Sequence, residues 1–131
     1  MQRVRRRDTI PERTLRRWLW QRGHRFVTHS TKLPGSPDLS NTKRKWAIFV
    51  HGCFWHGHEG CRKSRLPKQN EAFWNEKIAA NVARDARKEQ ALRDLGYDVY
   101  VVWECELGEL TRTNDLHELR FRLPPLPRRD P

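Results

Sequence analysis

Two apolar stretches, Trp46-Ala-Ile-Phe-Val50 and Tyr97-Asp-Val-Tyr-Val-Val-Trp103, bracket a long run of helix formers from Asn70 to Leu95, and this order constrains the fold more than any other feature of the chain. The first stretch is short, nearly continuous in apolar residues, and bounded by charge on one side and Gly52 on the other, which predicts a central strand buried on both faces. Between the strands, Trp74, Ile78, Val82 and Ala86 form one stripe at helical spacing, with Gly96 placed as a C-terminal cap. A strand, a helix and a strand imply a right-handed parallel crossover, so both strands end on the same edge of a sheet. Cys53, just after the first strand, and Cys105, just after the second, are therefore expected to meet.

The rest of the chain is organised around this unit. Thr9-Ile-Pro-Glu12 has the form of a capping box and Leu15, Trp18 and Leu19 follow at helical spacing, predicting a helix from Pro11 to Arg22 ended at Gly23. Phe26-Val-Thr28, within His24 to His29, reads as a short strand, and Leu33-Pro-Gly-Ser-Pro37 must turn the chain, with Asp38 emerging directly from the turn. A short helix is expected after Thr111 through Phe121, followed by a Pro-rich tail over 123–131. With 131 residues the chain is large enough for one hydrophobic core, so residues 1–122 are read as a single domain with a basic N-terminal arm.

Lys and Arg number 27 against 16 acids, a formal charge of +11, and six Trp accompany that charge. The combination favours a polyanionic partner, nucleic acid first, over an acidic small molecule; an anionic membrane or a ribosomal setting is the alternative. No run approaches the length of a bilayer span, and the Arg-rich start is not followed by an apolar signal core, so the expectation is a soluble, cytoplasmic protein. Three cysteines cannot all pair with one another, and clustered histidines favour a metal site over a disulfide framework.

That cluster is His51-Gly-Cys-Phe-Trp-His-Gly-His-Glu-Gly-Cys61. Cys53-x4-His58-x2-Cys61 with Cys105 would give a closed tetrahedral set of thiolates and imidazole, suited to structural rather than catalytic zinc. Cys53-x2-His56 is also sterically reasonable, and spacing does not decide between His56 and His58. In the plainer reading Cys105 is a buried core thiol and the histidines are solvated.

Taken in order, Leu33-Pro-Gly-Ser-Pro-Asp38, Phe49-Val-His-Gly-Cys-Phe-Trp-His56, Phe73-Trp-Asn-Glu-Lys-Ile78, Asn81-Val-x-Arg-Asp85 and Val102-Trp-Glu-Cys105 resemble the Vsr family of very-short-patch mismatch repair endonucleases. The resemblance covers Arg7 to Cys105. It implies a restriction-endonuclease-like α/β fold of the PD-(D/E)xK type, a mixed sheet flanked by helices with a structural zinc site. It further implies a monomer that nicks one strand of double-stranded DNA beside a T:G mismatch left by 5-methylcytosine deamination, with other repair proteins as possible partners. By the same resemblance Asp38 binds magnesium, aided by the backbone carbonyl of Val50; His51 and His56 are active-site histidines; and Glu12 lies near metal-bound waters. Cys53, His58, Cys61 and Cys105 fall on the zinc ligands, and Phe54, Trp55 and Trp74 on the aromatic wedge beside the mismatch. The chain departs from the family in three respects: one extra residue between His58 and Cys61, Val50 where a hydroxyl residue is expected, and a short N-terminal arm for which Arg3, Arg5, Arg6 and Arg7 are the cationic substitute.

Hydrolysis of a phosphodiester needs an in-line water, a base for its proton and positive charge on the phosphoryl oxygens, which magnesium on oxygen ligands supplies. Asp38 is the natural anchor, with a turn or strand-end cap as its plain alternative. His51 and His56 can act as base or phosphate partner near neutral pH, and no D/E-x-K lysine follows Asp38 at the usual spacing, so the histidines stand in for it. Glu12 is explained equally by the capping box, Trp74 by core packing, and Asp85 either orients a histidine or is an exposed helix acid. Arg62, Lys63, Arg65 and Lys68 are expected to meet phosphates. Two rival functions remain open at this level: a zinc-stabilised module that binds distorted DNA without cutting it, and a nuclease without mismatch specificity or with the histidines holding its catalytic ion.

Overall fold

The computed structural model describes residues 9–113, with side chains through 108. The arginines at 3 and 5–7 and the tail over 123–131 lie outside the described residues. The chain runs α1 (Ile10–Gln21), β1 (Val27–Thr28), β2 (Leu39–Asn41), β3 (Trp46–His51), a 3-10 turn (Arg62–Ser64), α2 (Glu71–Asp94), β4 (Asp98–Trp103) and α3 (Glu104–Thr113).

The four strands form one mixed sheet in the order β1-β2-β3-β4. β1 and β2 pair antiparallel, as do β2 and β3, whereas β3 and β4 are parallel in the register Trp46↔Asp98 to His51↔Trp103. The parallel crossover expected from the sequence is thus present, and α2 is its connection. Side chains alternate across a strand, and both faces of β3 are covered, which explains its continuous apolar run. Leu15, Trp18 and Leu19 of α1 and Leu107 of α3 pack on Leu39, Trp46, Ile48, Tyr100 and Val102 on one face. On the other face Ala47, Phe49 and Leu92 form a smaller cluster with Leu33, Tyr97 and Val99.

Both long helices end as their glycines predict. Gly23 and Gly96 take φ of 87° and 88°, and the N–H groups of His24 and Tyr97 donate back to the carbonyls of Leu19 and Leu92. Each is a Schellman motif. At the start of α1 the Thr9 hydroxyl accepts the Glu12 N–H at 3.4 Å, the N-cap half of the expected box.

Three features differ from the sequence reading. Leu39–Asn41, unassigned there, is a strand, because its identity comes from pairing with Trp46–Ile48 rather than from any periodicity of its own. The helix expected after Thr111 lies mostly outside the described residues; within them a helix already begins at Glu104, directly on leaving β4. Its signal is an acid at the third helical position: Glu106 accepts the backbone N–H of Trp103 at 3.2 Å, half of a capping box around an atypical cap residue. Finally, the Trp74–Ile78–Val82–Ala86 stripe of α2 does not face the sheet core, since Leu92 is the helix's buried residue, Val82 and Ala86 are exposed, and Ile78 and Val82 lie against the loop that follows β3. Among the described residues no helix is long and apolar enough to cross a membrane.

Candidate active site and metal centre

Two residues beyond the paired ends of β3 and β4, Cys53 and Cys105 come together, as the parallel register requires. His58 and Cys61 join them, and one donor atom from each of the four lies within 4.8 Å of the others. The loop is shaped to deliver them. Cys53 donates its N–H to Glu104 Oε1 at 3.2 Å, His58 N–H donates to the Cys53 carbonyl at 3.0 Å, and the Ser64 hydroxyl donates to the carbonyls of His58 and Cys61. His58 Nδ1 lies 3.6 Å from Cys105 Sγ, and its ring stacks on Trp103 with centroids 4.1 Å apart. His56 takes no part in this group; it points to a different one. Burial pushes the Cys53 thiol up to about 12 and raises that of Cys105, while the backbone N–H groups of Lys63 and Ser64 help lower Cys61. Three sulfurs and an imidazole nitrogen are a donor set suited to zinc, and binding a cation there would convert the thiols, of which Cys53 is buried, to thiolates.

The second group is His51, His56 and Asp85. The two imidazoles stack in parallel, 4.0 Å between centroids and 6° between planes. His51 shares its face of β3 with Ala47 and Phe49, so it looks toward α2, where Asp85 Oδ2 meets His56 Nδ1 at 2.5 Å. Burial, then the neighbouring His56, depress His51 to about 4, so it is neutral near pH 7. With Asp85 on Nδ1, Nε2 is the ring nitrogen of His56 left for another partner, an arrangement in which a carboxylate fixes the orientation of an imidazole. Asp85 is therefore a half-buried partner of His56 rather than an exposed helix charge. His51 also meets the Trp103 edge at 5.2 Å, so Trp103 bridges the histidine pair and the Cys/His group.

Glu12, His29 and Asp38 make the third group. Asp38 Oδ2 accepts the Val50 N–H at 2.6 Å. A strand residue turns its N–H and C=O to the same side, so the Val50 carbonyl also faces the Asp38 edge. Burial raises Asp38, opposed by the Val50 N–H and then by His29, His56 and Lys88. Glu12 is buried, with Oε2 3.3 Å from His29 Nε2. The sequence reading did not single out His29; the signal was the β1–β2 register, in which Thr28 pairs with Leu39 and sets His29 opposite Asp38.

Beyond the Cys/His loop, Phe54, Trp55 and Trp74 pack edge to face with centroids 5.2–5.7 Å apart, and Phe73 extends the group. Trp55 and Phe73 are exposed, so Trp74 belongs to a surface aromatic cluster rather than to the core. The Asn81 amide donates to the Trp55 carbonyl at 3.0 Å, and Gly57, at φ 61°, leaves room for Ile78 and Val82. Arg62, Lys63, Arg65 and Lys68 are all exposed on the segment leading from Cys61 to α2.

A family model described as DNA mismatch endonuclease Vsr matches residues 1–63. The chain is 52% identical over 110 residues to the Type II nicking enzyme V.XorIIP of Xanthomonas oryzae pv. oryzae, covering 84% of this chain and 80% of that protein. It is 42% identical over 107 residues to the Type II nicking enzyme V.NmeAIP of Neisseria meningitidis, covering 82% and 76%. With the DNA mismatch endonuclease Vsr of Escherichia coli it shares 41% identity over 109 residues, covering 83% and 69%. The family model ends within the loop after β3, whereas the relatives match more than four fifths of the chain, and the chain belongs to the Vsr family.

Proposed function

We propose that this chain is a DNA endonuclease of the PD-(D/E)xK type that nicks one strand beside a T:G mismatch, acting as a cytoplasmic monomer. The observation that carries the reading is the contact of the parallel imidazole pair with Trp103 and Asp85, beside the half-buried Asp38. Magnesium held by Asp38 and the Val50 carbonyl would place positive charge on the scissile phosphoryl oxygens. His56, oriented by Asp85, takes the proton of the attacking water through Nε2. His51, kept neutral by burial, lies alongside it as a hydrogen-bonding partner for phosphate. Cys53, His58, Cys61 and Cys105 hold structural zinc, which fixes Trp103 and the aromatic loop without entering the chemistry.

Phe54, Trp55 and Trp74 enter the duplex at the mismatched step. Unstacking costs a few kcal/mol at a normal step and less at a mismatch, so duplex weakness contributes to selectivity. Arg62, Lys63, Arg65 and Lys68 contact phosphates and make affinity fall with salt.

Strand-resolved cleavage of matched and T:G duplexes, with magnesium or with chelator, tests the reading. Nicking of the thymine strand in the mismatched duplex alone, lost with chelator, is the expected result. Equal cutting of both duplexes would mean a nuclease without mismatch specificity, and binding without cutting would mean a recognition module.

A further inference from the structure

His29 lies where the β1–β2 pairing ends. It takes φ of 48°, and its backbone N–H donates to the Asp38 carbonyl at 3.0 Å, which pins the residue opposite that carboxylate. The imidazole then stands between two acids from different elements. Nδ1 is 3.7 Å from Asp38 Oδ1 and Nε2 is 3.3 Å from Glu12 Oε2, with the three side chains only 7–19% exposed. Metal-bound imidazoles are held in this way: one nitrogen faces the cation beside a carboxylate ligand, and the other faces a second carboxylate that fixes tautomer and ring orientation.

We propose that His29 Nδ1 is a nitrogen ligand of the divalent cation anchored by Asp38, and that Glu12 is the carboxylate orienting its ring. This rests on the reading of Asp38 given above and adds a donor to it. Glu12 then acts through His29 rather than through metal-bound water. The chemistry of the site changes with it. Magnesium takes oxygen ligands and keeps its waters, whereas an imidazole among carboxylates suits a first-row transition ion such as Mn2+. The protein would therefore bind Mn2+ more tightly than Mg2+.

The test uses the zinc-loaded protein with Mn2+ as the probe, read by electron spin-echo envelope modulation and by titration. The expected spectrum shows directly bound 14N, which disappears in His29→Gln, while Glu12→Gln weakens Mn2+ binding on the order of tenfold. Mn2+ bound without nitrogen modulation in the native protein, or modulation that survives in His29→Gln, overturns the proposal. Should His29→Gln not fold, the double variant His51→Gln/His56→Gln carries the same test, because His29 is then the imidazole left beside Asp38: retained modulation supports the proposal and lost modulation overturns it. Asp38→Asn separates the two levels of the argument. If it abolishes Mn2+ binding while the native spectrum lacks nitrogen, only the role of His29 fails; if it leaves Mn2+ affinity unchanged, the anchor itself is wrong.

Discussion

The face of the sheet under α1 and α3 and the face under α2 are built from the same two parallel strands, yet they are put to different uses. The first is a closed apolar core of Leu, Trp, Ile, Val and Tyr side chains. The second has a core of only Ala47, Phe49 and Leu92, and its remaining positions carry His51 and Trp103 toward a helix that contributes Asp85. Because α2 buries little apolar surface against the sheet, its hold on the loop after β3 depends on Ile78 and Val82 at Gly57 together with polar contacts and ring stacking. Apart from Glu12 of α1, which reaches His29 at the sheet's end, one face stores stability and the other spends it on geometry. The site should therefore be separable from the fold by substitution.

The largest expected separation is at Asp38. Asp38→Asn keeps an acceptor for the Val50 N–H but loses the charge, so the nicking rate should fall on the order of 10³-fold with little change in Tm. His56→Ala should lower the rate by about 10² to 10⁴, and Asp85→Asn by somewhat less, since it disturbs only the orientation of the base; single-turnover kinetics on a T:G duplex measures both. Equal losses of rate and of Tm in these variants would break the division between the faces.

Leu107→Ala, on the opposite face, should do the reverse. It should cost about 2–5 kcal/mol in denaturant unfolding and leave the rate of the folded protein unchanged. Gly57→Ala falls between. Its φ is positive and a Cβ there would lie 2.8 Å from Ile78 Cγ2, so about 2 kcal/mol of strain should loosen the loop from α2 and weaken DNA binding. The smallest effect is expected at Arg62→Ala, a loss of about one unit in the slope of log affinity against log salt, with mismatch preference intact.

The same division explains what the sequence disclosed. β3, β4 and α1 are legible because their apolar patterns face a core, and Gly23 and Gly96 mark helix ends by a backbone conformation that favours glycine. The Cys53–Cys105 meeting followed from parallel topology alone. β2 was not legible, since Leu-Ser-Asn has no pattern outside its pairing, and with β2 unseen nothing placed His29 opposite Asp38. α2 was legible as a helix, but its stripe gave no sign that it faces a loop instead of a sheet. His56 could be separated from His58 only by resemblance, because both spacings satisfy a metal and only the folded loop turns one ring to Cys105 and the other to Asp85.

Hydrogen exchange before and after removal of zinc with a chelator tests the central claim most directly, with nicking of the T:G duplex followed on the same samples. The account expects protection to be lost over residues 52–65 and the N-terminal half of α2, together with nicking, while amides of β3 and α1 remain protected. Uniform loss of protection across the domain, or full nicking by the zinc-free protein, would contradict it.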